Sequence, residues 1–132
     1  MKDVRISYDF DWQRIHWQSL STCYRSSSYF EFYEDELKVF YSHKTEFLLD
    51  FNIDLLEWIF KKLKMEKTIF QTVTYQEHSS VDRDVRNLID IKTPDEMAKL
   101  YHQVFDARHG FIPGLSIADL LFNLGPEAIK FL

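Results

Sequence analysis

Cysteine is nearly missing from this chain. The one thiol, Cys23, excludes an intramolecular disulfide and, alone, a thiolate metal centre, and it fits a reducing compartment. Glycine and proline are scarce too, three of each in 132 residues, which argues against a loop-rich or disordered chain. No stretch approaches the ~20 apolar residues needed to span a bilayer. The opening residues hold no apolar leader core, so the expectation is a cytoplasmic protein without membrane insertion. Positive charge is also short: 16 Lys and Arg against 21 Asp and Glu leave a formal charge of -5, which excludes nucleic acid as a general partner, since phosphate binding rests on Lys and Arg. A glycine-rich phosphate loop, a dinucleotide fingerprint and a cysteine nucleophile motif are all lacking, so no standard cofactor is expected.

What is abundant is aromatic: 12 Phe, 7 Tyr and 3 Trp. They supply the large side chains of a core, and an excess can line a sugar- or nucleotide-sized pocket, because Tyr and Trp bury area while keeping a polar tip. A chain of this length suits one domain, residues 1–132, burying roughly 68% of its unfolded surface. The fold class expected is mainly α, a compact helical domain with at most a small two-stranded β element.

Val4 to Tyr8 alternates as a short strand or extended lead-in, and Asp9 and Asp11 offer N-cap oxygens for a helix running to about Ser26. Trp12, Ile15, Leu20 and Cys23 form its apolar face, with Trp17 and Tyr24 widening it; His16 is expected as a hydrogen-bonded core histidine. Ser28 with Glu31 spells a capping box for a second helix to about Ser42. In the third, Leu48, Phe51, Leu55, Trp58, Ile59 and Leu63 form a stripe expected to be the spine of the core, and Glu57 with Lys61 makes an i,i+4 pair. Thr68 to Tyr75 is β-branched and aromatic, suited to pair with Val4 to Tyr8. Gln76 to Asp84 reads as a loop and candidate lid. Thr93-Pro94-Asp95-Glu96 opens a further helix carrying Met97, Leu100, Tyr101, Val104 and Phe105. Ser116 caps another, Gly125 stops it, and Pro126 starts one more turn.

Among residues with chemistry, Ser116 and Asp119 have capping-box spacing, which gives both a structural task and counts against a nucleophile and acid. His109 before Gly110 is freer, and its near-neutral pKa suits a general base. His102, Asp106 and His109 lie at offsets of four and three, but no fourth ligand follows, so no metal is expected. Arg86-Asn87 places polar donors inside an apolar segment. Their acceptors are either helix carbonyls or the carboxylate or diphosphate of a ligand, for which Arg offers a bidentate fork. Arg25 is of the same kind, and Asn123 reads as a helix-terminus residue bonding to backbone.

The closing segment from His109 to Leu132 alternates turn residues, caps and short apolar runs without filler. With His16-Trp17, Tyr24-Arg25-Ser26-Ser27, Tyr29 to Leu37, Glu46 to Asn52, Arg86 to Ile89 and Tyr101 to Phe105, it resembles the WbqC-like family of bacterial proteins over nearly the whole chain. The resemblance implies a role in O-antigen and other surface polysaccharide assembly, extending to transfer of an amino acid such as glycine onto an amino sugar. It directs attention to Arg25, Glu34, Arg86, Asn87, Gln103, His109, Ser116, Asp119 and Asn123. Of these, Arg25, Arg86, Asn87, Gln103 and Asn123 are ligand-binding candidates and His109 the catalytic one. Members of the family usually begin with a segment rich in His, Gln, Pro and aromatic residues, and this chain is expected to start after it. The partners expected are therefore a second copy or a companion chain supplying that segment, and a sugar nucleotide. The competing reading is a non-catalytic helical module that binds a ligand or a partner.

Overall fold

Asp11 opens the first helix, α1 (Trp12–Tyr24), in the computed structural model, which describes residues 2–74 and 99–132. Its carboxylate accepts the Arg14 backbone N–H at 3.4 Å and the Arg14 guanidinium at 2.7 Å, so one side chain satisfies an orphan donor and holds the cation of the first turn. There follow α2 (Phe30–Ser42), α3 (Leu48–Lys62), α4 (Asp106–His109) and α5 (Ile117–Leu124), and a 3-10 helix, Gly125–Phe131, closes the chain. The mainly helical class is as expected.

The residues most fully withdrawn from water lie on α2 and α5 rather than α3. Phe30, Tyr33 and Leu37 of α2 meet Leu120, Leu121 and Phe122 of α5, with Leu63 and Ala128 completing the centre. Each such large side chain contributes about 1.5–3 kcal/mol by leaving water. The expectation that α3 is the spine is thus corrected. Its stripe is real, but Leu55, Trp58 and Ile59 remain partly exposed and flank the core. Amphipathic spacing reports which face turns inward, and the depth of burial depends on what covers that face.

Two tertiary contacts fix α2. The Tyr29 N–H donates to the Phe122 carbonyl at 2.9 Å, so Tyr29 takes the N-cap position and the Ser28–Glu31 capping box does not form. Across the other face, Glu36 accepts from the Trp58 indole N–H at 2.9 Å and from Lys62 at 2.6 Å. That pin joins α2 to α3, and Lys62 rather than Lys61 makes the ion pair. Lys62 hydrogen bonding, then the Trp58 hydrogen bond, holds the Glu36 carboxyl below its usual range.

The lead-in Val4 to Tyr8 is extended, as expected, but its partner differs. Ile6 N–H bonds to Glu46 O at 3.0 Å, Leu48 N–H to Val4 O at 2.9 Å, and Arg5 bridges antiparallel to Phe47. Thr68 to Thr74 forms no strand. On α1, Trp17, Leu20 and Tyr24 pack on the core, whereas Ile15, His16 and Cys23 are exposed. His16 stacks at an edge of Trp12 and Tyr41 instead of lying within the core.

Leu100 to Phe105 is not helical, against the helical spacing of its apolar residues. The Gln103 side chain, 4% exposed, accepts the Ile112 N–H at 2.9 Å and donates to the Ile112 carbonyl at 2.8 Å, so this segment bonds sideways to another strip of chain in place of closing on itself. The Gln76 to Asp84 loop, the Thr93 to Glu96 helix start and Arg86-Asn87 lie outside the described residues.

Gly125 ends α5 at φ +59°, a left-handed conformation that favours glycine. A Cβ there would stand 2.5 Å from the Tyr29 ring. The stop predicted from sequence is therefore also the point of closest approach between the closing segment and α2.

Candidate functional site

One exposed face of α1 carries Trp17, Gln18, Ser21, Thr22 and Arg25, and these line an open groove of about 390 Å³. Helical periodicity brings them together: offsets of one, four, five and eight from Trp17 fall within one face of a 3.6-residue helix. Trp17 forms the floor because the far side of its ring packs on Phe30 and Tyr41, with centroids at 6.1 and 6.0 Å. That backing fixes the indole before any ligand arrives.

Ser21 is the unusual member. Its hydroxyl is shielded from solvent by the surrounding atoms and has no hydrogen-bond partner among the described residues. A buried hydroxyl left unpaired costs about 1–3 kcal/mol. Arg25, one turn on, is exposed and meets Glu34 of α2 through a single 3.4 Å contact. Among the described residues most of its five N–H donors have no partner, which suits it to another anion.

Behind the groove lies a buried polar cluster. Asp119, in the first turn of α5, is 4% exposed, as is Gln103, and Asn123 is 7% exposed. The Tyr101 hydroxyl donates to the Asp119 carboxylate at 2.7 Å, and the Tyr24 ring of α1 packs on Phe122 of α5 with centroids at 4.9 Å. Burial, and then the Asp119 hydrogen bond, pushes the Tyr101 phenol up to about 12. Burial, followed by the Asp119 charge, pushes Tyr24 well above the usual phenol range. The Tyr101 phenol and the positive end of α5 hold the carboxylate, and no salt-bridge partner for it stands among the described residues. Tyr101 ties the 99–105 segment to α5, and the Tyr24–Phe122 ring contact ties α1 to it.

The sequence candidates separate accordingly. Arg25 lies at the groove. Gln103 is taken up by the Ile112 backbone, and the Asn123 amide donates to the Asp119 backbone carbonyl at 2.9 Å. Ser116 occupies the N-cap position of α5, but its side chain makes no cap hydrogen bond. Asp119 turns inward to Tyr101, so the expected reciprocal box is corrected: the buried carboxylate takes the stronger partner. His109 is exposed at the end of α4 and does not line the groove. His102 and Asp106 pair at 2.7 Å without it, and among the described residues no group of three metal-ligating side chains gathers. Arg86 and Asn87 lie outside the described residues.

Sequence reasoning missed Trp17, Gln18 and Ser21 as companions of Arg25, although their helical offsets would have found them. It also missed the tyrosine–aspartate cluster. The available signal was an acidic residue, Asp119, standing directly before Leu120-Leu121-Phe122 in an apolar run. Among the described residues no helix is long and apolar enough to cross a membrane.

Comparison with known proteins gives one match. The family model of the WbqC-like protein family matches residues 1–94, which includes all of α1, α2 and α3 and so the whole groove, and ends before Tyr101 and the closing segment. No curated protein and no solved structure matches the chain.

Proposed function

The chain belongs to the WbqC-like protein family, and from that premise we propose that it serves bacterial surface polysaccharide (O-antigen) assembly on the cytoplasmic side. In this reading it holds a nucleotide-linked or lipid-linked amino sugar, the acceptor for an amino acid such as glycine, in the α1 groove. The observation that carries the reading is the groove's chemistry. An indole fixed from behind suits the apolar face of a pyranose ring, the Gln18 amide and the exposed Thr22 hydroxyl suit its hydroxyls, and the Arg25 guanidinium suits a diphosphate. In the same reading the chain acts as one unit, 1–132, supported by the Tyr24–Phe122 contact between α1 and α5.

A second reading, a non-catalytic ligand- or partner-binding module, draws on a specific feature of the same groove. Its lining residues among those described offer a ring, an amide, two hydroxyls and a guanidinium, and no general base. An amine acceptor needs a base to take its proton, which a companion chain or a second copy would then supply.

Calorimetric titration with UDP-glucosamine tests the first reading. Binding to the wild type should weaken about tenfold in Arg25→Ala and less in Thr22→Ala. Equal affinity in all three proteins would remove the groove from the account. His109→Ala in a reconstituted transfer assay separates the readings, since unchanged turnover would exclude it as the base.

A further inference from the structure

A second cavity, of about 160 Å³, is lined by Lys99, Tyr101, Phe111, Gly114, Leu115, Leu120 and Phe131. We infer that it is a binding site for a small six-membered or planar ring bearing an anionic group, distinct from the α1 groove.

Shape gives the ring. Tyr101 stands at the centre of the wall and meets Phe111 edge to face at 5.4 Å and 88°, and Phe131 at 5.8 Å and 74°. These mutual contacts fix the three rings, so the walls are formed before a ligand enters. At about 160 Å³ the partly open cleft has room for one ring of benzene size. The Tyr101 hydroxyl is committed to Asp119, which leaves the aromatic faces and edges, with Leu115 and Leu120, to receive an apolar body.

Charge gives the anion. Of two neighbouring lysines, Lys99 and Lys130, only Lys130 is matched by an acid among the described residues. Lys130 pairs with Glu127, whereas the Lys99 ammonium donates to the Lys130 backbone carbonyl and lies 5.8 Å from the centroid of the Phe131 ring. An ammonium has three donors. Two of those on Lys99 have no partner among the described residues, beside an aromatic wall where a carboxylate or phosphate on the ring would reach them. A cationic ring would meet the same ammonium and be repelled.

The test uses the intact chain and three ligands of one shape: sodium benzoate, benzyl alcohol and benzylamine. Ring-proton shifts of Tyr101, Phe111 and Phe131 are followed by NMR on titration. Benzoate should bind most tightly, benzyl alcohol less, and benzylamine least. Lys99→Met, an exposed substitution, should reduce benzoate affinity about tenfold while leaving benzyl alcohol unchanged. Leu115→Trp, which fills the mouth, should abolish both, with circular dichroism showing a native fold. Absence of ring shifts with benzoate, equal binding of benzylamine, or indifference to Lys99→Met would each overturn the assignment.

Discussion

Replacing Tyr101 by Phe removes one oxygen and leaves the ring in place, so its effect isolates the hydrogen bond to Asp119. The bond is 2.7 Å long and its acceptor is a carboxylate 4% exposed. A hydrogen bond to a charged group contributes about 1.5–3 kcal/mol, and the Phe111 and Phe131 contacts of the ring persist. Urea unfolding of Tyr101→Phe should therefore show a loss of about 1.5–3 kcal/mol with an unchanged slope, since the surface exposed on unfolding is the same. The pH dependence has a definite sign. The Tyr101 phenol is raised by burial to about 12 in the folded chain, above its unfolded value near 10. Its contribution is complete below about pH 10 and is lost as pH rises through about 12. Tyr24, raised in the same direction, adds to that alkaline fall, and Tyr101→Phe should make the fall shallower. A loss below about 0.5 kcal/mol with an unaltered alkaline limb would refute the view that Asp119 is held by the Tyr101 phenol.

Gly125→Ala combines a positive φ with a Cβ pressed into the Tyr29 ring, and thermal unfolding should report a loss of about 2–4 kcal/mol. Gln103→Leu keeps the volume but leaves the Ile112 N–H and carbonyl without their partner; denaturant unfolding should show a loss of about 1–3 kcal/mol. Ala118→Val points into the apolar gap of about 90 Å³ bounded by Leu20, Leu55, Trp58 and Phe122, and should raise stability by about 0.5–1 kcal/mol by the same measurement.

Local rules carried the sequence reading a long way where the partner of each group was itself local. Asp11 before Trp12, the β-break at His43 and the glycine at position 125 delimit helices through their own backbone needs, and α1 to α3 follow from periodicity. The reading failed where a distant group offered more than a neighbour. Ser28 has the spacing of a cap, but Tyr29 finds the Phe122 carbonyl. Asp119 has the spacing of a reciprocal box, but Tyr101 from another part of the chain bonds its carboxylate instead. Leu100 to Phe105 has helical spacing, but Gln103 bonds to Ile112. Each of these is a tertiary hydrogen bond that no window of sequence displays. The candidate site was legible only in part for a different reason. Arg25 attracts notice as a lone guanidinium among polar residues, whereas Ser21 becomes informative only once its hydroxyl is known to be enclosed and unpartnered.

The central claim is that the α1 groove receives the amino sugar, and chemical-shift mapping of the labelled chain during addition of UDP-glucosamine tests it most directly. The account predicts saturable shifts gathered at the Trp17 indole N–H and at the amides of Gln18, Ser21, Thr22 and Arg25. Shifts confined to α4 around His109, or none at all, would contradict it.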